Sequence, residues 1–168
     1  MDVWPQIVLG GVVAAVVAAI ISGRLSRSIK ISEFRQAWIN DLRKDVADYV
    51  GAAHKWFRKY EQLNDIEADR QDEKTRMERE ELLPIHNEAL VILSRVKLRI
   101  NPRKNPYKRD DDDFLTALDN LLNPGKLTPS DVSPLETRWL TLANEAVEKA
   151  RAILKREWEI TKQPGQWL

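Results

Sequence analysis

Apolar and polar positions divide the chain into a continuous apolar stretch followed by helical periodicity. Val3 to Gly23 is a run of 21 uncharged residues, opened by Asp2 and closed by Arg24. At 1.5 Å per residue it spans roughly 31 Å, about the hydrocarbon thickness of a bilayer. The run predicts a transmembrane anchor over residues 1–23. Beyond it, Phe34, Trp38, Leu42, Val46, Tyr49, Ala53, Trp56, Tyr60 and Leu63 follow one another by steps of four and three. Leu42, Tyr49, Trp56 and Leu63 therefore share one heptad position, and Val46, Ala53 and Tyr60 another, a coiled-coil-like seam of about four heptads. No proline interrupts the chain between Pro5 and Pro84. The membrane helix can thus run into the seam as one rod, with Gly23 and the nearby serines as a place to bend.

From Asn64 to Glu81 the pattern lapses, since Ile66 and Met77 are the only large apolar residues among twelve charged ones. This stretch reads as a solvated hairpin tip or a loop. A returning helix is expected from about Glu80, with Pro84 in its first turn and Leu82, Ile85, Ala89, Leu93, Val96 and Ile100 on its apolar face. Asn101-Pro102 and Asn105-Pro106 end it, because a residue preceding proline is pushed out of the helical region. Asp110 to Asp113 start a short helix carrying Phe114, Leu115, Leu118, Leu121 and Leu122, which stops at Asn123-Pro124-Gly125. Ser133-Pro134-Leu135-Glu136 combines a serine cap, a proline at the first helical position and a glutamate at the third. The helix that follows carries a stripe of Trp139, Ala143, Ala146, Ala150, Leu154 and Trp158. The expected fold is all-α: a 1–23 anchor, a 24–162 helical bundle built on a long helical hairpin, and a 163–168 tail.

The apolar run also carries small residues at every fourth position. Gly10, Ala14 and Ala18 form one stripe and Gly11, Ala15 and Ala19 another beside it, a pattern that lets membrane helices approach closely and associate. Charge placement separates an anchor from a cleaved signal peptide, which carries its positive charge before the apolar region. Here Asp2 precedes it, whereas Arg24, Arg27, Lys30 and Arg35 all follow. By the positive-inside rule the N-terminus faces outward and the bundle lies in the cytoplasm.

Composition narrows the chemistry. Lysine plus arginine (27) nearly balances aspartate plus glutamate (26), so no overall field favours nucleic acid. Cysteine is absent, which removes disulfides, thiolate metal sites and cysteine nucleophiles, and the imidazoles are His54 and His86. His54 has Val50, Gly51, Phe57 and Arg58 as its helical neighbours, none of them a carboxylate. His86 has Leu83 where the Glu-x-x-His spacing of di-iron bundles requires an acid. Asp110 to Asp113 fit a hard cation in principle, but helix-dipole and capping preferences account for them. This inventory disfavours an enzyme and calls for no cofactor or metal. The strongest local surface is Arg95, Lys97, Arg99, Arg103, Lys104, Lys108 and Arg109, seven basic residues in fifteen with no acid among them. Such a surface can hold phosphate or a protein partner, or be neutralised by the neighbouring aspartates.

Three blocks carry a resemblance: Glu33 to Arg43 (EFRQAWINDLR), Leu98 to Pro102 (LRINP) and Ile153 to Glu159 (ILKREWE). They resemble recurring blocks of a group of uncharacterised bacterial proteins, some phage-associated, built as one membrane helix plus a helical cytoplasmic domain. The resemblance implies the bacterial inner membrane and this architecture, and brings no activity or catalytic residue with it. The function expected is a membrane-anchored interaction or scaffold protein that self-associates through its membrane helix and presents the bundle to a protein partner. The alternative is a membrane effector in phage defence or exclusion, although no polar residue lines a pore face between Ile7 and Ile21. Expected partners are membrane lipid and further copies of the chain.

Overall fold

A computed structural model describes residues 4–100, 106–127 and 134–162, with side chains described throughout these except at 4–17, 20, 21, 25 and 28. The described elements are helical: α1 (Trp4–Asn64), α2 (Gln71–Met77), a π-helical turn (Glu78–Leu82), α3 (Leu83–Arg99), α4 (Lys108–Asn120), a 3₁₀ turn (Pro124–Lys126) and α5 (Leu135–Thr161). There is no strand among the described residues. The all-α fold and its long hairpin, in which α1 rises and α3 returns beside it, agree with the sequence reading.

α1 is 61 residues long, which at 1.5 Å per residue makes a rod of roughly 90 Å. It passes through Gly23 and the following serines as one helix, consistent with the absence of proline between Pro5 and Pro84. Side-chain burial on it begins late. None of the described side chains between residues 18 and 37 is buried, and the first buried residue is Ile39. The 1–23 and 24–162 boundary therefore coincides with no break in the helix. Among the described residues, no helix is long and apolar enough to cross a membrane. Most side chains of the Val3 to Gly23 stretch, on which the anchor expectation rests, lie outside those described, and the 163–168 tail lies outside the described residues altogether.

Along the packed half of α1 the seam is present: Leu42, Val46, Tyr49, Ala53, Trp56 and Leu63 are buried. Three members behave otherwise, and of these Trp38 is partly buried against the core. Phe34 is 76 % exposed, on the stretch of α1 before Ile39 in which no described side chain is buried. Tyr60 is partly buried at the far end, stacked on Trp56 with ring centroids 5.2 Å apart. The seam also under-describes α1, since Ile39, Ala52 and Phe57 are buried too. α1 packs against both α3 and α5, so more than a narrow heptad stripe faces inward.

The returning helix begins earlier than the pattern predicts. Helix resumes at Gln71 after a short turn and continues through the charge-rich stretch, with Ile66 and Met77 packed against the core. Pro84 then sits inside a helical run. A proline there lacks the N–H of the helix ladder and crowds the carbonyl four residues back. The chain widens into a π turn immediately before it, in which the Leu83 N–H donates to the carbonyl of Glu78 five residues earlier. α3 ends as expected, with Ile100 in an extended conformation (φ −95°, ψ 121°) before the two Asn-Pro pairs. In α5 the cap position is taken by Pro134 (φ −57°, ψ 151°), and Ser133 lies outside the described residues.

The core stripe of α5 is Trp139, Ala143, Ala146, Ala150 and Ile153. Its three-and-four spacing next reaches Glu157, so Trp158 is rotated about one position off the stripe. Trp158 is accordingly 42 % exposed, against the expectation of burial, with the Lys162 ammonium 5.0 Å from its ring centroid.

α4 is locked to α1 by the buried Tyr49 hydroxyl, which donates to the Leu118 carbonyl at 2.9 Å. Burial first, and then the negative charge of Asp119, push this phenol well above its ordinary range. A raised folded-state pKa means that the folded protein holds the proton more tightly than the unfolded chain. The contribution of Tyr49 is complete below about pH 10 and is lost as pH rises beyond it. Thermal melts between about pH 8 and pH 11 should fall steeply at the alkaline end, and Tyr49→Phe should flatten that fall while costing roughly 1 kcal/mol at neutral pH.

Candidate interaction surfaces

The basic cluster is largely committed to partners within the bundle. Arg99 extends from the last turn of α3 towards α1, where its Nε donates to Asp45 Oδ2 at 2.7 Å and its Nη1 to Asp41 Oδ2 at 3.2 Å. The hydrogen bond to Asp45 is the largest of the effects that hold the guanidinium above its ordinary range. Arg95, one turn earlier, lies 3.4 Å from the other oxygen of Asp45. The Asp45 side chain is only 8 % exposed, and a carboxylate that buried requires such partners. Lys97 projects to the opposite side and donates to Asp119 of α4 at 2.7 Å. Lys108 pairs with Asp112 one turn along α4. Arg109 is exposed beside it and enters no ion pair among the described residues, while Arg103 and Lys104 lie outside them. Four of the five described members of the cluster thus face carboxylates, and they are spread over different sides of the bundle.

The four aspartates at the start of α4 are not equivalent. Asp111 is 1 % exposed and accepts from Arg156 Nη2 of α5 at 2.9 Å. The same guanidinium donates through Nε to Glu157 at 3.2 Å and lies 4.5 Å from the centroid of the Tyr107 ring. Helix-dipole preference explains acids at this position in general; the burial of Asp111 is explained by an arginine on another helix. The signal was present in the sequence, since Asp111 lies three and seven residues before Phe114 and Leu118 on one stripe and Arg156 lies three after Ile153 on another. Opposite charges on two apolar stripes mark a cross-helix pair. Asp45, three residues after Leu42 and four before Tyr49, carries the same signal with Arg99, three after Val96. Beside the Arg156 pair, Tyr107, Asp110, Asp113 and Lys149 border a cleft of about 390 Å³ between α4 and α5. A larger open groove of about 680 Å³ runs between α1 and α3.

The histidines are surface and packing groups of the aromatic layer. His54 lies 4.9 Å from Trp139, and His86 lies 6.2 Å from Trp56, both measured between ring centroids. Trp139 stacks in turn on Phe57 at 5.3 Å, and its buried Nε1 has no hydrogen-bond partner among the described residues. No group of three or more metal-ligating side chains converges among the described residues.

Of the residues expected to associate in the membrane, Gly10, Gly11, Ala14 and Ala15 have side positions outside those described. Ala18 and Ala19 are exposed on α1, one on each small-residue stripe. No family model, curated protein or solved structure matches the chain.

Proposed function

We propose that the chain is a membrane-anchored scaffold that self-associates through its N-terminal helix and holds a cytoplasmic helical bundle for a protein partner. The observation that carries this reading is the junction of an uncharged 21-residue run with a bundle on one helix that does not break between them. A continuous helix transmits orientation, so helices associating in the bilayer would also set their bundles side by side. Arg24, Arg27 and Lys30 follow the run at once and favour the cytoplasmic side for the bundle. Within the run, lipid tails supply no hydrophobic drive between helices, so close backbone approach at the small-residue stripes must supply the attraction.

The test has two parts. A C-terminal reporter should be active in the cytoplasm and inactive in the periplasm, and the full-length chain should require detergent for extraction. Gly11→Ile together with Ala15→Ile should lower the oligomeric state in membranes, whereas Val12→Ile together with Val16→Ile should leave it unchanged. A chain that crosslinks only as a monomer at native expression, or one recovered without detergent, would refute the reading.

A further inference from the structure

The groove between α1 and α3 is bordered by small residues on one side, Ala47, Gly51 and Ala52 of α1, and by Val91 and Ile92 of α3 on the other. Val91 is 63 % exposed, and a Cβ built on Gly51 would meet nothing within 4 Å. The groove therefore presents a low α1 surface beside an apolar α3 ridge. Its charges are ordered as well. The ion pairs Asp41–Arg99, Asp45–Arg95 and Lys59–Glu81 set the antiparallel register of the two helices. In that register Asp48 and Arg95 lie towards one end of the groove, and Lys55 and Glu88 towards the other. Asp48, Lys55 and Glu88 are exposed and enter no ion pair among the described residues, and Arg95 keeps about half of its side chain exposed beside Asp45.

We propose that this face docks a second copy of the chain, about a two-fold axis parallel to α1. Rotation about such an axis keeps height along the helices and exchanges left for right, so α1 of each protomer lies over α3 of the other. Every border charge then meets its opposite: Asp48 faces the partner's Arg95, and Lys55 faces the partner's Glu88. The Val91 ridge enters the low surface at the partner's Gly51. The interface is isologous, each contact occurring twice, and its charges select the register more than they add affinity. An axis running across the helices would also match opposite charges, by placing α1 against α1, but it would point the two N-terminal runs in opposite directions. The parallel choice rests on the membrane-anchored reading, in which both copies enter one bilayer in the same sense. Anchoring also raises the effective concentration, to roughly the millimolar range for tethered modules, so a modest interface suffices.

The absence of cysteine makes the full-length chain ready for the test. One tagged copy carries Gly51→Cys, a second, differently tagged copy carries Val91→Cys, and membranes from cells making both are oxidised mildly. The expected product is the mixed disulfide between the two tags, in clear excess over either same-tag dimer. Adding Lys55→Glu to both copies should cut its yield about tenfold by setting like charges opposite each other twice. Placing Lys55→Glu in one copy and Glu88→Lys in the other should restore it, because both cross-pairs become opposite again; in the crossed arrangement that combination leaves like charges facing. Failure of the mixed disulfide to form, predominance of the Gly51–Gly51 product, or indifference to charge reversal would overturn the proposal. The oligomeric state of the unmodified chain then separates the two readings: an oligomer sensitive to Gly11→Ile with Ala15→Ile leaves the membrane-helix association standing without this interface, and a monomer ends both.

Discussion

Trp56→Ala should lower the stability of the bundle by about 3–5 kcal/mol, whereas Trp158→Ala should cost well under half as much. Truncating a buried tryptophan forfeits both its transfer free energy and the packing around the cavity it leaves. Trp56 is 3 % exposed, stacks on Tyr60 and borders His86, at the level where α1 and α3 meet. Trp158 is 42 % exposed and has the Lys162 ammonium over its ring, a contact worth about 0.5–1 kcal/mol at an exposed site. For a chain of this length a loss of 3–5 kcal/mol corresponds to a fall in melting temperature of roughly 6–20 °C. Circular dichroism melts of the two full-length variants in detergent decide the matter. Equal melting temperatures would show that the bundle does not bury Trp56.

Arg156→Met should destabilise by a similar amount, about 3–5 kcal/mol, for a different reason. The substitution keeps much of the arginine stem's volume but takes from the buried Asp111 carboxylate the guanidinium paired with it, and removing one partner of a buried ion pair costs far more than a surface ion pair contributes. The Arg156 and Asp111 side chains are 14 % and 1 % exposed, so solvent screens them little. Asp111→Asn removes the charge left behind, so the double variant should be more stable than the sum of the single losses predicts. A double-mutant cycle with a coupling energy above about 1 kcal/mol is expected; a coupling near zero would mean that the pair does not hold α4 to α5. Lys108, paired with Asp112 on the surface of the same helix, is the control: Lys108→Ala should change stability by less than about 0.5 kcal/mol.

The candidate surfaces were legible in the sequence to different degrees. Seven cations in fifteen residues suggested one basic patch, yet Arg95 and Arg99 turn towards Asp45 on α1 while Lys97 turns towards Asp119 on α4. Residues two apart on a helix point away from each other. A dense basic segment on a helix is therefore divided among faces, and only the neighbouring helices decide which cation meets which acid. The α1–α3 groove was not legible, because its border comes from two segments some forty residues apart whose register is set by ion pairs between them.

By itself the sequence determined the features that depend on local spacing and backbone chemistry. Steps of three and four made helices of α1, α3, α4 and α5. The Asn-Pro pairs ended α3, and the proline-free span up to Pro84 let α1 run to Asn64 without a break. The tertiary structure decided what depends on how many neighbours a helix has. Phe34 continues the α1 seam yet stays exposed, because burial along the described part of α1 begins only at Ile39. Phe57 and Ala52 lie off that seam yet are buried, because α1 has packing partners on two sides: Trp139 of α5 stacks on Phe57, and α3 lies beside Ala52. Trp158 lies one position from the α5 stripe, a rotation of about 100° that sets a large aromatic in solvent. Periodicity names one apolar stripe per helix; the number, height and rotation of the packing partners determine how wide that stripe becomes and where along the rod it begins.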